Sequence, residues 1–449
     1  MHILPKSPGY KDAIKALTEA SGTGALGEIL ATGVVDDKGR YSHWDKIRFK
    51  QHPSLTPHQW WAGLTHARRT RAKYLSIKGV DGKPLWWCEP DLVAEKLHWL
   101  DVNAAGAQQL SALISEKETR GTYLVRSLVE EAISSSQLEG ASTTRLEAKE
   151  MLRVNRTPIS KDETMILNNY RAMEFIRTHR DTPLTPDTIL ELQRILTEGT
   201  LDDSAHAGKL RQADDNVNVV DTETGDILHC PPPAHELPER LAYLCNLANG
   251  DTPEFFVHPL IRAILVHFVL AYDHPFVDGN GRTARALFYW VAVRQGYRLL
   301  EYTTISKVIK QAPKQYGQAF LQVETDENDM TYFVIHQLEV VIQAISALHD
   351  YLEQQQEKIQ QVRKEIARSP RLQKALNARQ LSLLRHAIKN PRHAYRIEDH
   401  QRSHGITYDT ARRDLIALVT LGLLEKATQG RSYIFPVPKD LQARLAREK

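Results

Sequence analysis

Between Gly121 and Glu353, segment after segment sets apolar residues at the three-to-four-residue spacing of a helix face, and a single pair of extended patches interrupts the run. A chain patterned this way folds as a mainly α body. Leu124, Leu128, Ile133 and Leu138 predict a helix over Gly121 to Leu138, stopped by Gly140. Further helices are predicted from Met165 to His179 and from Thr185 to Leu196, the second opened by a Thr185 cap and Pro186 in the first turn. The same spacing predicts helices from His235 to Asn249, Leu260 to Tyr272, Arg282 to Gln295, Ser306 to Ala312, Tyr316 to Glu324 and Met330 to Glu353. The interruption is Asn216 to Val220 and Ile227 to Cys230, around Thr224-Gly225-Asp226 and closed by three prolines. It reads as an isolated β-hairpin.

With 449 residues, the prior is about three domains. Apolar residues at 42% and charged residues at 25% supply an ordinary core and exclude disorder as the dominant state. Mean hydropathy is −0.42, with no run of eighteen apolar residues and no apolar, small-residue leader at Met1, so the expectation is a soluble, unexported protein without a membrane partner. Cys88, Cys230 and Cys245 form no C-x-x-C pair, which argues against a disulfide framework or a cysteine zinc site and makes a reducing cytoplasm the default.

Four stretches differ in character. Residues 1–120 mix loops with short helical patterns and hold six of the seven tryptophans, whose pairs Trp60-Trp61 and Trp86-Trp87 read as interior packing. Residues 121–352 are the helical body, 353–376 a polar connecting helix, and 377–449 a separate basic module. From Glu353 to Lys449 there are twenty Lys and Arg against ten Asp and Glu, whereas the rest of the chain is mildly acidic. That asymmetry fits either a nucleic-acid-facing appendage or solvated helix faces.

The chemistry concentrates in His274-Pro-Phe-Val-Asp278-Gly-Asn-Gly-Arg282-Thr-Ala-Arg285, between two apolar helices. Gly279 and Gly281 can adopt positive φ and leave backbone N–H groups uncovered, so the turn can form an anion nest feeding a helix N-terminus. Arg282 and Arg285 stand one turn apart, where both forks can reach a phosphate held there. Asp278 is a hard oxygen ligand suited to a phosphate-bridging Mg²⁺. His274 is a base with a pKa near neutrality. Each residue alone is ordinarily structural; together they point to phosphoryl chemistry.

This segment resembles the signature of the Fic family, H-x-F-x-[DE]-G-N-G-R-x-x-R, with every fixed position filled. The resemblance implies a helical Fic core with a β-hairpin flap, and transfer of AMP from ATP to a Ser, Thr or Tyr hydroxyl of a target protein or of the chain itself. By that resemblance His274 is the base, Asp278 holds Mg²⁺ or Mn²⁺, the Gly279-Asn280-Gly281 turn cradles phosphates, Arg282 and Arg285 bind the β- and γ-phosphates, and Phe276 is a buried anchor. Ser135 to Gly140 also matches the family's inhibitory pattern, [ST]-x-x-x-E-[GN]. A carboxylate in the last turn opposes the helix dipole unless a cation compensates, and Arg285 is the expected partner of Glu139. The resemblance implies low basal activity, relieved on release of that helix or in an altered homodimer or other oligomer, and admits AMP removal as a second activity. It makes Val217, Asn218, Val219 and Val220 the flap that pairs with an extended target segment.

In the basic module, helices predicted from Ala378 to Ile388 and from Ile397 to His404, a turn at Gly405, and a third helix from a Thr407 cap to Leu421 have helix-turn-helix spacing. A hairpin from Leu424 to Pro436 follows, so the module resembles a winged helix. Tyr408, Thr410, Arg412 and Arg413 would face a DNA groove and Arg431 a phosphate, unless the module docks protein instead. An alternative whole-chain reading is a transcription regulator that senses nucleotide through its Fic-like body. A dinucleotide-binding oxidoreductase, suggested by G-x-G-x-x-A from Gly279 to Ala284, fails because the downstream pattern stays helical. No G-x-x-x-x-G-K-[ST] or H-E-x-x-H occurs.

Overall fold

The computed structural model describes residues 3–105, 117–154, 156–221, 224–368, 376–391, 393–429 and 432–447. The chain divides into two compact units, Met1–Ala347 and Leu348–Lys449.

The first unit is built around two helices buried on nearly every side, Pro259–Asp273 (α11) and Asn280–Arg294 (α12). In α11 the reason is plain, since apolar residues lie on every side of the helix and only Arg262, His267 and Asp273 carry a formal charge or an imidazole. In α12 it is not, because Asn280, Arg282, Thr283 and Arg285 are also buried in its first turns. Buried polar groups of this kind must find partners, and they mark the site.

Around this pair lie Lys117–Leu138 (α6), Lys161–His179 (α8), Pro186–Thr197 (α9), Leu237–Asn249 (α10), Ile305–Gln311 (α13) and Pro313–Thr325 (α14), with Arg145–Val154 (α7) packed on α6 and α8. Thr185 caps α9 by accepting from the Thr188 N–H, with Pro186 at the first position. Ala132 and Ile133 of α6 pack with Ala148, Met151 and Ile166. At roughly 1.5–3 kcal/mol for a fully buried aliphatic side chain, that cluster holds α6 to α7 and α8.

The hairpin is shorter than the sequence reading: Val219–Val220 (β3) pairs with Ile227–His229 (β4), Val219 opposite His229 and Val220 opposite Ile227. Val217 and Asn218 fall outside the strand, after a 3₁₀ turn over Ala213–Asp215 and a left-handed Asn216 at φ 49°. The last core helix and the connecting helix are one continuous element, Thr331–Arg368 (α15). Its Thr331–Gln354 stretch is long and apolar enough to cross a membrane by length and composition, yet 56% of that window is buried in the fold.

Residues 3–105 carry short helices at Tyr10–Glu19 (α1), Ala25–Leu30 (α2), Trp44–Ile47 (α3), Pro57–Arg69 (α4) and Asp91–Ala104 (α5). They also carry a hairpin the sequence reading missed, Lys73–Lys78 (β1) against Pro84–Trp87 (β2). Trp60, Trp61, Trp86 and Trp87 are all buried, as interior packing requires. This layer ties into the segment after α14: Trp86 N donates to Asn328 O at 3.2 Å, Met330 N to Trp86 O at 2.7 Å, and Tyr10 N to a Glu327 carboxylate at 2.9 Å. The hairpin also reaches the centre, where Arg240 Nη1 donates to Lys78 O and Val80 N to the Tyr272 hydroxyl.

In the second unit, Ala378–Lys389 (α16), Ile397–His404 (α17), Tyr408–Thr420 (α18) and Leu441–Arg447 (α19) pack with a three-stranded antiparallel sheet. Its strands, Ala394–Tyr395 (β5), Ala427–Gln429 (β6) and Ser432–Pro436 (β7), lie in the order β5-β7-β6. Leu383, Leu384, Ala411, Leu415, Leu418, Leu424 and Phe435 form its core. Gly430 and Arg431 lie outside the described residues.

Candidate active site

α11 ends at His274, whose backbone is left-handed at φ 44°, ψ 56°, and α12 begins after Gly279 at φ 86°. A non-glycine residue at positive φ is uncommon and persists only where its surroundings hold it. Here they do. Asn280 closes the turn from inside, accepting from Phe276 N at 2.9 Å and donating to Phe276 O at 2.8 Å, while Phe276 is fully buried. Asn280 therefore braces the turn with its side chain and leaves only its backbone to face a ligand.

Two residues outside the signature fix the turn to the rest of the core. Gln193 donates to Asp278 O at 3.0 Å and accepts from Gly208 N at 2.6 Å. Arg211 donates from Nε to His274 O at 2.8 Å and from Nη2 to Asp273 O at 3.3 Å and to Pro232 O at 2.5 Å; its N–H donates to Pro275 O at 2.9 Å. One buried guanidinium thus joins the hairpin's exit to the His274 backbone. His229 of β4 adds a second tie, its Nε2 2.6 Å from Tyr272 O.

The His274 ring sets Nδ1 3.3 Å from Ala271 O. A carbonyl can only accept, so Nδ1 carries the hydrogen and Nε2 keeps its lone pair. Burial pushes the imidazole down to about 4, a hydrogen bond to Ala271 and the charge of Glu139 opposing, and His229 and Arg211 adding to the fall. The ring is neutral at pH 7, the state a base must start from.

Arg282 is 1% exposed. Nη1 donates to Leu196 O at 2.9 Å, capping the end of α9, and Nη2 lies 3.2 and 3.1 Å from the two oxygens of Asp278. The Asp278 side chain is half exposed at the turn's mouth, with Oδ1 also accepting from Gly279 N at 2.5 Å.

Arg285, equally buried, faces α6. Its Nε donates to Ser135 Oγ at 3.0 Å and its Nη2 to Ser135 O at 3.1 Å and Glu139 Oε1 at 2.7 Å. Glu139 follows the last turn of α6, and Gly140 continues at φ 94°. The Glu139 carboxylate lies against Gly281 so closely that a Cβ there would collide with Oε1. An anion thus already occupies the space at the α12 N-terminus. Behind Arg285, Tyr316 sets its hydroxyl 2.9 Å from His267 Nε2. Burial pushes that phenol up to about 12, with Arg285 pulling the other way, and pushes His267 down to about 3. Further along α6, the fully buried Glu131 accepts from Tyr289 at 3.0 Å and from the Ser306 N–H at 3.2 Å and its hydroxyl, anchoring the helix.

The structure thus gathers His274, Asp278, Gly279, Asn280, Gly281, Arg282, Arg285, Ser135, Glu139 and Gly140 in one region, and hangs Val219 and Val220 beside it through β4. Val220 and Ile227 are exposed at 48% and 53%, as a strand edge open to a partner would be. Tyr408, Thr410, Arg412 and Arg413 belong to the other unit, on α18. Arg211, Gln193 and His267 were not anticipated, and Tyr316, though similar to the family's pattern, was assigned no chemistry. Arg211 and Gln193 act on backbone carbonyls, which leave no trace in residue spacing.

Residues 183–292 match the family model for the Fic/DOC family. The chain is 25% identical over 299 residues to a protein adenylyltransferase Fic of Nematostella vectensis, covering 61% of this chain and 66% of that one. It is 31% identical over 106 residues to a protein of the same name from Culex quinquefasciatus, covering 24% and 19%. It thus spans less than two thirds of the length of these curated relatives. A crystal structure of a Fic family protein from Desulfovibrio desulfuricans G20 superposes with a TM-score of 0.50 at 18% identity, covering 78% of this chain and 95% of that one, and shares its fold.

Proposed function

As a member of the Fic/DOC family, this chain, we propose, transfers AMP from ATP to a hydroxyl side chain of a protein and is held at low activity by Glu139. The observation that carries the reading is the convergence of a neutral imidazole with a free Nε2, a glycine turn at a helix N-terminus, and Arg285 paired to a carboxylate lying over that turn.

The chemistry follows from the geometry. A triphosphate seated on the backbone N–H groups of the turn meets a positive dipole end and the Arg285 fork. A target hydroxyl presented along the β3–β4 edge gives its proton to His274 Nε2 as its oxygen bonds to the α-phosphorus, and the bond to pyrophosphate breaks. Little covalent work falls to the protein, so positioning and charge neutralisation dominate. Among the described residues no group of three or more His, Cys, Asp and Glu could cage an ion. A half-exposed Asp278 carboxylate fits a Mg²⁺ or Mn²⁺ held mostly by phosphates and water, and such an ion would neutralise charge building on the leaving group. Arg282 would keep Asp278 in place and share it with that ion.

Glu139 limits this arrangement in two ways. It takes the Nη2 donor of Arg285, and its carboxylate repels an incoming phosphate from the turn it covers. A nucleotide can still approach, but the terminal phosphate cannot settle, and the α-phosphorus is not aligned.

Labelling decides the reaction class. Incubation of the Glu139→Gly variant with a cell lysate and either α- or γ-labelled ATP should place label on protein from the α-label only. Label from the γ position would mean phosphorylation and would overturn the assignment.

A further inference from the structure

We propose that the Leu348–Lys449 unit binds double-stranded DNA, with α18 lying in the major groove and the β6–β7 hairpin beside the phosphate backbone; this stands independently of the adenylyl-transfer reading.

α18 has two faces of opposite character. Ala411, Leu415 and Leu418 are completely buried, whereas Tyr408 is 46% and Ile416 37% exposed, with Arg412 and Arg413 exposed between them. Residues 408, 412 and 416 form one stripe along the helix, so an aromatic, a guanidinium and an aliphatic side chain share the outward ridge. A ridge of that composition suits a major groove, which admits an α-helix and offers guanine acceptors and thymine methyl groups.

The helix is also held rigidly. Asp414 is 4% exposed and accepts from Asn377 Nδ2 at 2.8 Å and from Arg379 Nε at 2.8 Å, with His400 Nε2 3.2 Å away. One carboxylate on the inner side of α18 therefore ties it to the start of α16 and to α17. Gly405, at φ 59°, makes the short turn between α17 and α18, and Thr407 caps α18 by accepting from Thr410 N. This is helix-turn-helix connectivity, in which the second helix reads the groove.

Charge supports a polyanionic partner. From Asn377 to Lys449 there are fourteen Lys and Arg against seven Asp and Glu. Asp414 is buried, and Asp399, Glu425 and Asp440 already pair with Arg402 or Arg444. Among the described residues Arg412 and Arg413 make no ion pair. Beside β6, Lys426 holds its ammonium 4.0 Å above the exposed Tyr433 ring of β7, a cation fixed at the hairpin's surface for a phosphate. Asp409 is the exposed charge on α18 that opposes binding, and this fixes a sign.

Fluorescence anisotropy of the full chain with a short mixed-sequence duplex, from about 50 to about 200 mM salt, tests this. Binding at low salt is expected. The Arg412→Gln, Arg413→Gln double variant should weaken it about tenfold and flatten the salt slope by about two, and Lys426→Gln should flatten it by about one. Asp409→Asn should tighten it, and His274→Ala should leave the isotherm unmoved. Absence of binding at the lowest salt, or an isotherm that Arg412→Gln, Arg413→Gln leaves unchanged, would overturn the proposal. So would a loss of self-association in that double variant without any change in DNA binding, since the face would then belong to a second copy of the chain. The Asp409, Arg412, Arg413 and Lys426 substitutions are at exposed positions, and an unchanged melting temperature confirms that each reports on binding.

Discussion

Glu139 places Oε1 2.7 Å from Nη2 of Arg285, across 146 residues of chain, and the same oxygen fills the space where a Gly281 side chain would stand. The ion pair and the occupied turn are one structural event. Whatever removes Glu139 takes the carboxylate from Arg285 and from the nest together, leaving the guanidinium bonded to Ser135.

That coupling can be measured as stability. Gly281→Ala pushes a methyl group into Glu139 Oε1, so it should cost the wild type more than it costs a Glu139→Gly background, by about 1 kcal/mol. A double-mutant cycle on urea denaturation gives the number. Additive effects would show that the carboxylate does not rest on the turn.

Arg285 should matter to ATP even when Glu139 is gone. In the Glu139→Gly background, Arg285→Lys keeps the charge but loses the fork, and KM for ATP should rise about tenfold, the 1.4 kcal/mol of a weakened charge-assisted contact. Steady-state kinetics on labelled ATP checks it. An unchanged KM would remove Arg285 from triphosphate binding.

The pH profile follows from His274. Its imidazole is held down to about 4 by burial, so the base form persists in the folded protein through pH 5. The acid limb of kcat/KM should therefore lie well below the 6.5 of an ordinary histidine. Glu139 raises this group, so the limb should shift lower still in Glu139→Gly. The linkage sign agrees: the unfolded chain takes the proton near 6.5 and the native chain only near 4, so the stability His274 contributes is present above 6.5 and is lost as pH falls toward 4. An acid limb at 6.5 would contradict the buried, neutral ring.

Arg211 gives a prediction with two readouts. Arg211→Lys retains a cation but cannot serve His274 O, Asp273 O and Pro232 O at once, so kcat should fall about tenfold with KM for ATP little changed. Leaving a buried carbonyl unpaired should also lower stability by about 1–3 kcal/mol. A rise in KM without loss of kcat would place Arg211 in nucleotide binding instead.

These cases also show which parts of the molecule were legible in the chain. The turn from His274 to Arg285 was, because its groups sit within a dozen positions and helix geometry brings them to one end. So was the meeting of Glu139 with Arg285, since a carboxylate in the last turn of a helix asks for a cation. The inward use of Asn280 was not, because its two bonds to Phe276 look the same in sequence as exposure to a ligand. Arg211, Gln193 and the Tyr316–His267 pair act over long separations, two of them through backbone carbonyls. The β1–β2 hairpin escaped notice because β2 is almost wholly buried and its second neighbour, Asp329, lies more than two hundred residues away. Val217 and Asn218 were read as strand because the alternation of valine and asparagine gives no sign of the left-handed Asn216.

The central claim is tested most directly by the rate of AMP incorporation from α-labelled ATP in three proteins: wild type, Glu139→Gly, and Glu139→Gly with His274→Ala. The account predicts a rise of at least about tenfold from the first to the second and a fall to background in the third. Equal rates in the first two would contradict restraint by Glu139, and undiminished labelling in the third would show that the base is not His274.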